Sequence, residues 1–182
     1  MLFRSHTLAK FYEEDPSTQL IVVLDPSHEN RWTALQAEFQ FDIPHTIVYG
    51  GEERFHSVKN AIAQVSPNTD VVAIHDAVRP LVSTACIRSL FQEAFEKGSA
   101  IPSLPLADSI RAWNGERYKT ANRVDFRIIQ TPQCFRFDRI QDAYAQAYLP
   151  TYTDDAAVME SAGHELHLCE GERINFKITT PE

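Results

Sequence analysis

Short apolar runs alternate along the chain with stretches in which apolar residues recur every three or four positions, and these two periods define the predicted elements. "LFRSHTLAKFYEED" carries Leu2, Leu8, Phe11 and Tyr12 at near-helical spacing, and "LIVVLD" follows as a buried strand. "SHENRWTALQAEF" reads as a helix with Ser27 as its N-cap. "HTIVYGG" is a second strand ending in paired glycines, and "RFHSVKNAIAQV" a helix with Phe55, Val58, Ile62 and Val65 on one side. The run Val71 to Ile74 suits a strand buried on both faces, and a helix follows from Ser83 to about Lys97. Such strand–helix alternation implies parallel strands joined by right-handed crossovers.

The pattern changes after Gly98. "ADSIRAWNGERYKTANR" alternates polar and apolar residues around Asn114-Gly115, a hairpin signal. A two-stranded ribbon is marginal in water, so this arm, about residues 107–125, is expected to lean on another subunit. "FRIIQ" resumes the sheet and "QTPQCF" reads as a strand-ending turn. "FDRIQDAYAQAY" and "DDAAVMESAG" are helical, the second closed by Gly163. "ELHLCEG" and "RINFKIT" are expected to finish as strands. No repeat or linker interrupts residues 1–182, which read as one domain with a projecting arm.

Composition narrows the class. At 182 residues the chain is long enough to bury roughly 70% of its unfolded surface. A net charge of −8 argues against nucleic acid or an anionic membrane as partner. Cys86, Cys134 and Cys169 lie far apart without a CxxC pair, which excludes a disulfide framework and fits a reducing cytoplasm. No apolar run approaches the ~20 residues of a membrane span, and the opening Met1-Leu-Phe-Arg has no signal-peptide pattern.

Candidate chemistry gathers at a few strand ends. Asp76 and Arg79 in "VVAIHDAVRP" stand just past an apolar run, where open α/β sheets hold ligands; equally, Asp76 caps a turn and Arg79 pairs with a surface carboxylate. Six glycines form neither GxGxxG nor GxxxxGK[ST], so a dinucleotide fingerprint and a P-loop are absent. Gly50-Gly51, before a helix that starts near Arg54, either lets a base or phosphate approach the backbone or simply turns the chain. Ser57 bonds a ligand or its own backbone. Pro132 restricts Thr131 and so aims its hydroxyl, while Thr153 is an N-cap or a hydroxyl facing a cleft. Lys177 and Arg123 read as solvated charges when taken alone. "HELH" lacks the HExxH spacing and sends His164 and His167 to opposite faces of a strand, so no metal is assigned to it.

Five segments occur together in a telling order: "GGEERFHSVKNAI", "IHDAVRP", "QTPQCF", "TDDAAVMESAG" and "EGERINFKITTP". On these, essentially the whole chain resembles the 2-C-methyl-D-erythritol 4-phosphate cytidylyltransferases of non-mevalonate isoprenoid synthesis. The resemblance implies a Rossmann-like α/β nucleotidyltransferase fold, a mostly parallel three-layer sheet with a β-hairpin dimerisation arm. It implies that CTP is joined to a methylerythritol phosphate with release of diphosphate, with Mg²⁺ held mainly by the CTP phosphates. Carried over by motif, Gly50, Gly51 and Ser57 match the cytidine segment, and Asp76, Ala77 and Arg79 the "DAxRP" turn between nucleotide and acceptor. Arg123 and Lys177 match the two cations that position the acceptor phosphate, and Thr131 and Thr153 match hydroxyls near it. The arm is implied to reach across a homodimer, so that Arg123 and Thr131 serve the neighbouring subunit.

The chain departs from the family at both ends. Members open with a strand and a cationic glycine-rich loop of the type "AAGxGxRM…PKQ", whereas this sequence starts at "LFRSHTLAKF" and stops at "TTPE", before the family's last helix. The resemblance therefore implies a shortened member. Two other readings compete with it. Ribitol-5-phosphate cytidylyltransferases share "HDAVRP", "QTPQ" and "KITTP", and a chain without the loop could be a non-catalytic dimerising module.

Overall fold

A computed structural model describes residues 2–179, so Thr180 and Pro181 of the closing "KITTP" lie outside the described residues. The elements run α1 (Leu2–Glu14), β1 (Ile21–Leu24), α2 (Glu29–Glu38), β2 (Thr46–Tyr49), α3 (Arg54–Ile62), β3 (Val71–Ile74), α4 (Thr84–Lys97) and β4 (Ser99–Pro105). There follow β5 (Arg111–Trp113), β6 (Tyr118–Thr120), β7 (Arg127–Ile129), β8 (Gln133–Arg136), α5 (Phe137–Ala143), α6 (Asp155–Ser161) and β9 (Leu168–Glu170). No helix among the described residues is long and apolar enough to cross a membrane.

The larger sheet has the order β3-β8-β4-β7, with β9 added to β4. β4 and β9 are parallel, and β8 is antiparallel to both β3 and β4, so β3, β4 and β9 share one direction. β7 and β8 run against them. β1 and β2 form a separate parallel pair. Residues Cys134 and Phe135 of β8 show why this sheet is the middle of three layers. Successive strand side chains point to opposite faces. Phe135 enters a core with Phe55, Ile140 and Met159 from α3, α5 and α6. Cys134 enters another with Leu90 and Ala94 from α4. Both side chains are fully buried, so each face is dry.

Several expectations need correction. The helix predicted from Ser27 begins at Glu29, because Asp25 accepts the Ser27 N–H at 2.8 Å and winds Pro26–His28 into a 3₁₀ turn first. The N-cap of α6 is Asp154, not Thr153; its carboxylate accepts the Ala157 N–H at 2.9 Å. "SAIPSLP" carries no strand signal because Pro102 and Pro105 lack ladder donors, yet it forms the hub strand β4. Pro102 contributes its carbonyl, which accepts the Gln130 N–H at 2.8 Å. "QTPQCF" does not merely end a strand, since Gln133–Arg136 is β8. "RINFKIT" is not a strand; it is pinned by side chains, by a local bond from Asn175 N–H to the Glu172 carbonyl and by one from Ile178 N–H to the Val78 carbonyl. The partner of β3 is antiparallel β8 rather than a parallel neighbour, because an apolar run reports burial but not the direction of the strand beside it.

The hairpin expected around Asn114-Gly115 forms. β5 and β6 pair in register Trp113↔Tyr118, and the Asn114 carboxamide oxygen accepts the Glu116 and Arg117 N–H groups across the loop. All six strand residues of this ribbon are exposed.

Candidate active site

Among the described residues β1 pairs only with β2 and β3 only with β8, and a groove of about 1050 Å³ opens between β1 and β3. Gly50, Gly51, Ser57, Asp76 and Ala77 all line it. The glycine turn is held by Ser57, whose Oγ accepts the Gly51 N–H at 3.0 Å. A Cβ at Gly51 would lie 2.4 Å from the His56 Cβ, so only glycine lets the chain pass this close to α3. The hydroxyl that sequence left open between ligand and backbone thus holds its own turn.

At the end of β3 the chain closes a tight turn, with Arg79 N–H donating to the Asp76 carbonyl at 3.0 Å. The Asp76 carboxylate faces two cations: Arg79 Nε at 3.1 Å and Lys177 Nζ at 3.3 Å. Burial pushes the Asp76 carboxyl up, but the Lys177 charge and the Arg79 hydrogen bond outweigh it and hold it below the usual range. Arg79 is itself buried and donates to the Asn175 carbonyl at 2.8 Å. It is therefore no surface charge; it ties the turn to the segment carrying Lys177.

A second set of bonds fixes the turn from below. The Asp76 N–H donates to Thr131 Oγ1 at 3.0 Å, and the Thr131 hydroxyl faces His75 Nδ1 at 3.0 Å. His75 Nε2 lies 3.1 Å from the Arg79 carbonyl, which accepts only if Nε2 carries the proton. Nδ1 is then the acceptor for Thr131. Burial drives the His75 pKa down to about 4, so the ring is neutral near pH 7 and both bonds persist. Thr131 is buried, with both directions of its hydroxyl used inside the chain. Asn175 completes the frame by donating from Nδ2 to the Thr131 carbonyl at 2.8 Å.

Two expected residues stand apart from this cluster. Thr153 is exposed one position ahead of the α6 cap. Arg123, in the 3₁₀ turn Arg123–Asp125 at the base of the arm, donates to the Ala107 carbonyl. Within the chain the Arg123 guanidinium is held by the arm's own backbone, while Lys177 pairs with Asp76.

Sequence reasoning missed a third set. Arg54, on the groove, donates from its guanidinium to Asp155 Oδ1 at 2.9 Å, and the Tyr144 hydroxyl donates to the same oxygen at 2.6 Å. Asp155 is fully buried. Burial works against the Arg54 charge, yet the Asp155 hydrogen bond and charge raise its pKa above normal. Gln130 and Glu172 also frame the site: Gln130 Nε2 donates to the carbonyls of Glu172 and Asn175, and the Glu172 carboxylate accepts the Ser83 N–H at the start of α4. His75 was legible within "IHDAVRP"; the long-range partners carry no local signal.

The arrangement combines a groove running the length of β1 and β3, a glycine turn at its carboxyl end, and a carboxylate-positioned ammonium. A family model described as 2-C-methyl-D-erythritol 4-phosphate cytidylyltransferase matches residues 3–182. The chain belongs to that family. It is 43% identical over 175 residues to the Bacteroides fragilis 2-C-methyl-D-erythritol 4-phosphate cytidylyltransferase, covering 96% of this chain and 80% of that protein. The protein of that name from Geobacillus kaustophilus is 35% identical, with 97% and 78% coverage. The crystal structure of the Thermus thermophilus cytidylyltransferase superposes with a TM-score of 0.80 at 30% identity, over 98% of this chain and 83% of that one. Family membership makes this chain a nucleotidyltransferase of isoprenoid biosynthesis and supports the Rossmann-like fold read from the sequence. Nothing in these relatives favours a ribitol phosphate enzyme.

Proposed function

We propose that the carboxyl end of the groove between β1 and β3 takes CTP and that Lys177 receives the phosphate of 2-C-methyl-D-erythritol 4-phosphate. The observation that carries this reading is the shared wall: Gly50, Gly51 and Ser57 line the groove with Asp76 and Ala77, and Asp76 holds Lys177. A phosphate oxygen of the acceptor attacks the α-phosphorus of CTP. The bond from that phosphorus to the bridging oxygen breaks, and diphosphate leaves with the electron pair. The products are 4-diphosphocytidyl-2-C-methyl-D-erythritol and diphosphate. No protein nucleophile is required, so the work is alignment and charge neutralisation.

Each residue has a part in that work. The Gly50-Gly51 turn, packed on α3 and fixed by Ser57, presents its backbone to the base. Lys177 meets the acceptor's phosphate, and Asp76 sets the position of its ammonium. Ala77 keeps the floor of the cleft low, while Arg79 and Thr131 hold the turn rigid. Thr153 offers an exposed hydroxyl two residues before Asp155, the partner of the groove residue Arg54.

A Mg²⁺ bound to the triphosphate would screen the approach of the two anions. The donor set fits a metal delivered on the nucleotide. Asp25 and Asp76 supply hard carboxylate oxygens at the groove, but no three potential ligands converge there among the described residues.

The proposal includes a homodimer in which the arm carries Arg123 to the partner's Lys177. The Trp113 and Tyr118 rings pack tilted at 5.1 Å between centroids yet stay 58% and 66% exposed. Val124, Phe126 and Ile128, which follow the ribbon in sequence, are exposed as well, and exposed apolar side chains of this number call for a cover. The free thiols suit the reducing cytoplasm.

The test is diphosphate release by the 182-residue chain with CTP, Mg²⁺ and either methylerythritol phosphate or ribitol 5-phosphate. Turnover with the first acceptor alone is expected. Turnover with ribitol phosphate alone would reverse the choice of acceptor, and CTP binding without turnover would leave a nucleotide-binding dimerising module.

A further inference from the structure

Away from the groove, three side chains of different chemistry converge. His167 and Cys169 are two apart at β9, so both project from the same face of that strand. That face packs on α4, from which Glu93 reaches up. Glu93 Oε2 lies 3.1 Å from His167 Nε2 and 3.3 Å from Cys169 Sγ, and the three ligand atoms all fall within 4.8 Å of one another. Glu93 stands ten residues beyond Ser83, about 15 Å along α4 from the end that meets Glu172.

We propose that Glu93, His167 and Cys169 form a binding site for a divalent transition metal, with Zn²⁺ as the best match. Imidazole, thiolate and carboxylate are the donors Zn²⁺ takes, and three protein ligands with a water make its tetrahedral set. Ligands about 2.0–2.3 Å from a tetrahedral ion lie roughly 3.3–3.8 Å from each other, close to the spacings here. The hydrogen-bond pattern points the same way. Lys97 Nζ sits 2.7 Å from His167 Nε2 and 2.9 Å from Glu93 Oε2. An ammonium has only donors, so Nε2 must present its lone pair to Lys97. Nε2 and the Glu93 oxygen are then two acceptors 3.1 Å apart, which repel unless a cation lies between them. Lys97 is that cation here, and its side chain is 43% exposed, free to swing into water when a metal takes its place.

The backbone around the ligands is fixed. The His167 N–H donates to Ser99 Oγ at 2.9 Å, and its carbonyl accepts the Ile101 N–H at 2.9 Å. Metal binding forms one metal–sulfur bond and releases the Cys169 thiol proton to solvent, with no change in oxidation state. "HELH" itself is still no metal motif, because His164 faces Asp142 instead of this cluster. His167 acts with residues far from that motif.

Titrating the purified chain with Co²⁺, then displacing it with Zn²⁺, tests the site. One Co²⁺ per chain with a thiolate-to-cobalt charge-transfer absorption is expected, lost on adding Zn²⁺. Cys169→Ser should abolish the absorption and His167→Gln should weaken binding by at least about tenfold. Lys97→Met should tighten it, which a purely structural cluster would not do. Cys86→Ser should leave the spectrum unchanged. Circular dichroism shows whether each variant is folded, and His167→Gln suffices if Cys169→Ser is not. Absence of the charge-transfer band, or a band that follows Cys86, would overturn the assignment.

Discussion

The Lys177 ammonium lies 3.3 Å from the Asp76 carboxylate although more than half the chain separates them. The pair is half-exposed at the lysine and mostly buried at the aspartate. An ion pair of that kind contributes about 0–1 kcal/mol to stability. Placed to meet a phosphate in a cleft, the same ammonium is worth several times that to a transition state.

Replacing Lys177 with Ala should therefore split activity from stability. Turnover is expected to fall by more than about tenfold, consistent with the roughly 3–4 kcal/mol that one preorganised charge contributes. The thermal midpoint should move little. Asp76→Asn should lower turnover too, by freeing the ammonium it positions. Steady-state kinetics alongside thermal melts check both; unchanged kinetics in Lys177→Ala would discredit its assignment.

His75 makes stability depend on pH. Its folded pKa is about 4 against an ordinary 6.5, so between those values the unfolded chain binds the extra proton. The contribution is complete above 6.5 and is lost as pH falls towards 4. At 1.36 kcal/mol per unit the loss is roughly 3 kcal/mol over that window. Urea unfolding across this range should show wild type losing about that much more stability than His75→Gln. Parallel curves for the two proteins would mean the buried imidazole is not neutral.

Gly51→Ala should destabilise by about 1–3 kcal/mol, because the new Cβ meets the His56 Cβ at 2.4 Å and neither backbone can withdraw without opening the turn. Nucleotide affinity should fall with it, since the same turn lines the groove. Gly115→Ala is a useful contrast: its Cβ meets nothing within 4 Å, although its φ of +96° still carries backbone strain. Chemical denaturation and calorimetry with CTP distinguish the two sites.

Legibility follows the range of the interaction. β1, β2, β3, α3 and α4 are readable because their periodicity and caps are local, as Ser83 shows by accepting the Cys86 N–H. The hub strand β4 is hidden by Pro102, whose usefulness lies in a carbonyl that only Gln130 reveals. Gly50, Gly51 and Asp76 stand at strand ends, where topology alone predicts a cleft. The Arg54–Asp155–Tyr144 network is not legible, since a buried carboxylate looks like any first-turn acid until its partners arrive from α3 and from the end of α5. Lys177 is reached by resemblance, not by strand alternation, and the segment carrying it is not a strand.

The arm yields the sharpest test of the dimer. Within the chain Arg123 bonds to the Ala107 carbonyl and Lys177 pairs with Asp76. If the partner's arm supplies the guanidinium, Arg123→Ala and Lys177→Ala should each be nearly inactive alone and recover activity when mixed. In a mixed twofold dimer one site joins the intact Lys177 of one protomer to the intact Arg123 of the other, and the second site lacks both. Random pairing of equal amounts makes half the dimers mixed, so about a quarter of wild-type activity should return. Were both groups to act from the same chain, no mixed dimer would contain an intact site. Activity measured after co-refolding the two variants decides between these arrangements: no recovery, with dimers formed, removes Arg123 from the partner's site.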